Sequence, residues 1–333
     1  MTELVLERPK LRTTDALYDK VSRFIPKPEW ATMEDDVQAI LDLKRETNAV
    51  ILAHNYQTPE IFHTVSDIVG DSLALAREAV TTDADVIVMA GVHFMAETAK
   101  LLNPDKTVLI PDMRAGCSLA DSITAEDIAL LRQKYPGVPV VTYVNTSAEV
   151  KAASDICCTS GNAHAVIRSL GVPRVLMLPD EYLAQNVQRD IPEVEILTWA
   201  GHCEVHEQFT PQDIRDMREA YPGVTILAHP ECPPEVVAEA DYAGSTANMS
   251  DFVANKKPAR VALITECSMS DNVAAANPET EFVKPCNLCP HMKRINLKNI
   301  RSALENMEHE VIVPKHLMAP ARRAVERMLE VRN

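Results

Sequence analysis

One interval governs this chain. Cys117, Cys203 and Cys289 stand 86 residues apart, and each follows a short apolar segment: TVLIP, EVEILTW and ETEFVKP. The stretch TAEDIALLRQKYPGV (124–138) returns as TPQDIRDMREAYPGV (210–224) at the same offset, with eight of fifteen positions identical, where average composition would give roughly one. The register runs on without a gap through Asp155 and Asp241, Asn162 and Asn248, Arg174 and Arg260, and Asn186 and Asn272. Residues 118–203 and 204–289 are therefore two copies of one fold.

A looser first copy, needing small gaps, keeps the same order. AVILAHNY stands beside VVTYVNT and VTILAHPE, DIVGDS beside DICCTSGN and DYAGSTAN, and VIVMAGVHF beside RVLMLPDEY and RVALITECS. The strand-like segments are short, rich in Val and Ile, and alternate with helical patterns, as in parallel α/β units. The predicted fold is α/β: three homologous three-layer α/β/α sandwich units, each with a short parallel sheet of about four strands, around a pseudo-threefold axis. The first unit takes residues 1–117 plus 297–333, the second 118–203 and the third 204–296. Residues 1–30, with Pro9, Pro26 and Pro28, read as an arm laid over the surface. The C-terminal segment reads as a return that completes the first unit.

Composition excludes several classes. The 333 residues carry a net charge of −15 and no basic run, which argues against nucleic acid, whose phosphates demand clustered Lys and Arg. No apolar run approaches the ~18 residues of a membrane span. The first residues, MTELVLERPKLRTTD, lack the apolar core of a secretory signal. A cytoplasmic, reducing location is expected, and there the eight cysteines read as buried thiols or metal ligands rather than disulfides.

Ligands of parallel α/β sheets bind beyond the carboxyl ends of the strands. His54, Tyr143 and His229 end the first strand of each unit, Ser72, Ser160 and Thr246 follow the second, and the three cysteines follow the fourth. One central cavity would collect them all. Three converging thiolates suit an iron–sulfur cluster better than zinc, which prefers four ligands in paired CxxC knuckles; here Cys286 and Cys289 form one such pair without a second. A [4Fe–4S] cluster held by three cysteines keeps one iron open as a Lewis acid, which points to dehydration or condensation rather than electron transfer.

The motifs also carry a resemblance. GCSLAD around Cys117, WAGHCEVH around Cys203, AHPEC at 228–232 and CPHMKR after Cys289 resemble those of the quinolinate synthase family of the [4Fe–4S]-dependent type. AHNYQ (53–57), GDSL (70–73), YVNT (143–146) and GSTANM (244–249) are similar to its remaining motifs, in order, from about residue 35 to 325. The resemblance implies a triplicated α/β fold around a [4Fe–4S] cluster. It also implies condensation of dihydroxyacetone phosphate with iminoaspartate to quinolinate, releasing phosphate and two waters, in de novo NAD biosynthesis. Cys117, Cys203 and Cys289 fall on its cluster-ligand positions. His54, Ser72, Tyr143, Asn145, Ser160, His229, Glu231 and Thr246 fall on substrate-contact positions, and Tyr56 on the acid–base tyrosine. An L-aspartate oxidase or dehydrogenase is the natural supplier of iminoaspartate, by family analogy.

The side chains make physical sense for such substrates. Hydroxyl and amide donors, with backbone N–H groups at helix starts, bind carboxylates and phosphate without a basic patch. His54, Tyr56, His229 and Glu231 are the candidates for acid–base work, histidine being best matched to neutral pH, and His206 is placed to orient substrate beside the open iron. Plainer readings suit other residues. Cys157, Cys158 and Cys267 read as small buried hydrophobes, Cys232 as structural, and the remaining histidines have no convergent support. Two other functions compete: an aconitase-like hydro-lyase on another small acid, and a zinc- or cluster-bearing structural or redox-sensing protein without turnover.

Overall fold

A computed structural model describes residues 13–331. It contains three four-stranded, wholly parallel sheets. The first has strands β1 (Ala49–His54), β2 (Ile68–Gly70), β3 (Val86–Ala90) and β4 (Thr107–Leu109). The second has β5 (Val140–Tyr143), β6 (Ile156–Cys158), β7 (Arg174–Leu178) and β8 (Glu195–Thr198), and the third β9 (Thr225–Ala228), β10 (Tyr242–Ala243), β11 (Arg260–Ile264) and β12 (Glu281–Val283). All three share one spatial order: second strand, first, third, fourth. The α/β class and the triplicated architecture expected from the repeat are both present.

The pattern has a simple cause. The central strands are continuous apolar runs; every residue of VIVMA in β3 and VVTY in β5 is buried. Such a strand has no face fit for water, so helices must cover both sides. A polar device is repeated in each unit to close the start of the first strand. Asp67, Asp155 and Asp241 accept the backbone N–H of Ile51, Val140 and Ile226 at 2.8, 2.8 and 2.7 Å. Each carboxylate also meets a cation from the preceding helix: Lys44 at 2.7 Å, Arg132 at 3.0 Å and Arg218 at 3.1 Å.

The 86-residue register continues past the third cysteine. The helices Ala125–Lys134, Pro211–Ala220 and Leu297–Asn306 each open on a capping box, from Thr124, Thr210 and Asn296. The turn after each helix needs a left-handed residue: Gly137 at φ 77°, Gly223 at φ 79° and His309 at φ 63°. The C-terminal return divides between two units. Leu297–Asn306 packs on the helix Glu34–Glu46, and Glu310 bridges Leu109 of β4. The final helix, Lys315–Glu330, lies against the helix Ala148–Ala153 and β6 of the second unit, with His93–Leu102 of the first.

Two expectations need correction. The segment 13–30 is not a surface arm. It forms the helix Thr13–Val21 and the turn Lys27–Trp30, and Val21, Ile25 and Trp30 are buried in the core of the first sheet. Leu17, Val21 and Ile25 recur at helical spacing, and Pro28 sits in the first turn of its helix, where a missing N–H costs nothing; residues 1–12 lie outside the described residues. The second correction is a disulfide between Cys267 and Cys286. Cys267 opens the helix after β11 and Cys286 follows β12, and these strands are neighbours, so residues 19 apart in sequence have Cα atoms 4.8 Å apart. Among the described residues no helix is long and apolar enough to cross a membrane.

The units grip one another by a related contact. Buried Asn186, in the helix after β7, donates to the carbonyls of Pro230 and Cys232 at 2.9 and 3.0 Å. Its repeat partner Asn272, after β11, donates to Asn55 and Gln57 at 3.1 and 2.8 Å. In the helix after β3, Glu97 accepts the N–H of Ala148 at 2.9 Å. Each unit thus holds the loop that follows the first strand of the next. Asn186→Ala and Asn272→Ala each strand buried carbonyls, so each should lower stability by ~1–3 kcal/mol in denaturant unfolding; unfolding curves that overlay the parent's would show that the loops hold themselves.

Candidate active site

The carboxyl ends of the three sheets face one cavity of about 720 Å³, counting its mouth. Every residue singled out from the sequence lines it. From the first unit come His54 at the end of β1, Tyr56 two residues on, Ser72 opening the helix after β2, and Cys117. The second unit supplies Tyr143, Asn145, Ser160 and Cys203, with His206 and the third unit's His229, Glu231, Thr246 and Cys289 completing the wall.

The cysteines are alike in local structure. Each precedes a short turn: Ser118–Asp121, His206–Gln208 and Met292–Arg294. Backbone N–H groups two and three residues on point at each sulfur, from Leu119 and Ala120, from Val205 and His206, and from His291 and Met292. The thiols are part-exposed to the cavity but enclosed by protein. Burial pushes Cys117 up to about 12, Cys289 up to about 11, and Cys203 well above the ordinary thiol range. Thiols in such surroundings ionise when a metal takes the charge, and the N–H groups are ready to stabilise the sulfur that results. Among the described residues no other cysteine lines the cavity. Cys157, Cys158 and Cys232 are buried elsewhere, and Cys286, bonded to Cys267, faces a different surface recess. The donor set therefore fits a cluster held by three cysteines.

Glu231 is the hub of the polar wall. One oxygen accepts from the Tyr143 hydroxyl in a short bond and from Asn145 Nδ2 at 3.5 Å. The other lies 2.8 Å from His206 Nδ1. Burial opposes ionisation of Glu231, but the contacts it accepts from His206 and the Tyr143 hydroxyl outweigh it and hold the carboxyl below its ordinary range. Its charge, added to burial, pushes the Tyr56 and Tyr143 phenols well above theirs. Cys203 Sγ, a His206 nitrogen and a Glu231 oxygen lie within 4.8 Å of one another, a grouping that could hold a single metal ion. Hydrogen bonds already satisfy it: His206 Nδ1 is 3.1 Å from that sulfur.

His54 and His229 share a second repeated feature. The N–H of Tyr56 reaches His54 Nδ1 at 3.2 Å, and the N–H of Glu231 reaches His229 Nδ1 at 3.3 Å. A backbone N–H can only donate, so in each neutral ring the proton sits on Nε2. His229 Nε2 lies 3.3 Å from Ser160 Oγ. Burial depresses His54 to about 4 and His229 to about 3. The expectation that these histidines titrate near neutrality is corrected: they are neutral donors at pH 7.

Several wall residues escaped the sequence reading. His291 and Met292 line the cavity, as do Asp71 and Phe94. Met292 follows its cysteine by three residues, as His206 does, so the repeat register itself held that signal.

The histidine shifts fix the sign of a pH effect. Below the ordinary value of 6.5 the unfolded chain binds protons that native His54 and His229 refuse down to about 4 and 3. Stability should therefore fall as pH drops from 6.5, by up to ~1.4 kcal/mol per pH unit for each ring. Denaturant unfolding at pH 7, 6 and 5 would read it, and His54→Gln should flatten the slope; an unchanged slope would refute the shift.

Comparison with known proteins gives one answer. The family model described as quinolinate synthetase A protein matches residues 38–330. The chain is 73% identical over 315 residues to quinolinate synthase 2 of Mesorhizobium japonicum, covering 95% of this chain and 97% of that protein. It is 73% identical over 316 residues to the quinolinate synthase of Agrobacterium fabrum, with 95% and 91% covered. Against the quinolinate synthase of Caulobacter vibrioides the identity is 58% over 322 residues, with 96% and 88% covered.

Proposed function

The chain belongs to the quinolinate synthase family, enzymes of NAD biosynthesis, and from that premise we propose that it condenses iminoaspartate with dihydroxyacetone phosphate to quinolinate, releasing phosphate and two waters. The observation that carries this reading is the convergence of three equivalent thiols and a wall of neutral hydrogen-bond donors on one cavity. Cys117, Cys203 and Cys289 would hold a [4Fe–4S] cluster. Such a cluster, bound by three thiolates, would supply a Lewis acid at the iron that no cysteine holds.

The chain's own residues bind and orient the substrates. Two carboxylates and a phosphate need donors, and Ser72, Ser160 and Thr246 offer hydroxyls at or near helix starts, where free backbone N–H groups add to them. His54 and His229, neutral with Nε2–H available, donate to a carbonyl or imine without bringing a charge, as a depressed histidine can. Asn145 and Tyr143 orient the carboxylate of Glu231. Proton transfer then falls to half-buried Tyr56 and buried Glu231, one a phenol and the other an ionised carboxylate of opposite role. His206, between Cys203 and Glu231, is placed to orient substrate. An aspartate oxidase or dehydrogenase acting beforehand would supply the unstable imine.

Iron and acid-labile sulfide per chain, with the visible spectrum of anaerobically purified protein with and without quinolinate, test this reading. About four irons and four sulfides, with a spectrum that quinolinate perturbs, is the expected result; zinc alone, or a spectrum blind to quinolinate, would overturn it. Cys117→Ser, Cys203→Ser and Cys289→Ser should each lose most of the iron, while Cys157→Ser keeps it. Tyr56→Phe should keep the iron and slow quinolinate formation by roughly 10²-fold or more, the usual weight of an acid–base group.

A further inference from the structure

Ser118 follows Cys117 directly, and its hydroxyl crosses from the first unit to the second. It donates to the carbonyl of His202 at 3.1 Å and accepts the N–H of Glu204 at 3.1 Å. Those two residues flank Cys203. One side chain, attached beside one thiol, thus grips the backbone before and after another. Both bonds are of ordinary length, and together they use the single O–H and fix its direction. Ser118 lines the cavity, yet its proton is committed to protein and is not offered to a substrate.

The same position in the other units shows what this hydroxyl adds. The residues one after each cysteine are Ser118, Glu204 and Pro290. Glu204 reaches onward in the same sense, with Oε1 2.8 Å from His291 Nε2 of the third unit, but as a contact of two part-exposed side chains. Asn287 Nδ2 adds a long bond of 3.5 Å to the Val205 carbonyl across that seam. Pro290 has no polar side chain, and there the His291 ring lies against Gly116. The seam between Cys117 and Cys203 is the one held by two 3.1 Å bonds to backbone. Those bonds also complete the turn at Cys203. Its next N–H groups, from Val205 and His206, point at the sulfur. With the Glu204 N–H taken by Ser118, three successive N–H groups have acceptors, and a backbone satisfied in this way resists rearrangement.

We infer that Ser118 is a positioning residue for the thiols: it fixes the spacing of Cys117 and Cys203, so that the pair is preformed for the cluster and slow to release it. The inference rests on the proposed cluster. Loss of a contact that orients metal ligands weakens the metal by roughly 10–100-fold, and Ser118 orients two ligands at once.

Iron release to a ferrous chelator, followed by absorbance on anaerobically purified holoenzyme, tests this. Ser118→Ala should release iron roughly ten-fold faster than the parent, and Ser118→Thr, which keeps the hydroxyl, at the parent's rate. Asp67→Asn is the control for general loosening. It weakens the first unit at the start of its strands, away from the thiols, so it should lower stability and leave iron release unchanged. If Ser118→Ala releases iron at the parent's rate, the inference fails. It fails equally if Asp67→Asn speeds release as much as Ser118→Ala does, since the serine would then act through stability alone, or if Ser118→Thr releases as fast as the alanine variant. A parent enzyme without an iron–sulfur cluster would overturn the cluster reading itself, and this inference with it. Should Ser118→Ala not accumulate as folded protein, Ser118→Gly carries the same comparison.

Discussion

Four hydrogen bonds from two asparagines tie the second unit to the third and the third to the first. Asn186 and Asn272 occupy the same position in successive units, and each reaches across to a loop of the next. The loops they hold are those after β9 and β1, which present His229 and Glu231, and His54 and Tyr56. A loop after a parallel strand has free carbonyls, and burying them against a neighbouring unit is costly unless a donor is supplied. The asparagine amide supplies two donors from one side chain. Docking of the units and construction of the cavity wall are therefore one event.

The same economy governs the electrostatics. A buried carboxylate, Glu231, is tolerated because Tyr143, Asn145 and His206 converge on it. Burial and, after it, the charge of Glu231 push the phenols of Tyr56 and Tyr143 upward and keep them protonated. Burial keeps His54 and His229 neutral. The cavity thus presents neutral donors rather than cations, which suits the anionic substrates proposed for it and agrees with a chain of net charge −15 and no basic run.

Much of this was legible in the sequence because the repeat converts one reading into three. Equal spacing in equal context located the strand ends, and strand ends locate ligands in parallel sheets, so His54, Tyr143 and His229 could be grouped before any coordinates. What escaped lies outside the repeat logic. Cys267 and Cys286 pair because β11 and β12 are neighbours, a fact of sheet order rather than of spacing. The proline-rich segment 13–30 misled because Pro28 sits where a helix accepts it. The histidines were read from their ordinary pKa, and only the enclosure of the cavity reverses that.

The units differ from one another where the proposed reaction would ask for asymmetry. At the end of the first strand stand His54, Tyr143 and His229, and two residues later Tyr56, Asn145 and Glu231. Three copies of one backbone position thus carry a phenol, an amide and a carboxylate into one cavity. Three residues after the cysteines come Ala120, His206 and Met292, again unlike. The cysteines themselves are identical, with the same turn and the same pair of N–H groups behind each sulfur. A cluster held as proposed would ask for three like ligands, while the proposed joining of two unlike substrates would ask for unlike groups. A triplicated fold meets both demands at once: the strand ends keep the geometry, and point changes at equivalent positions distribute the chemistry.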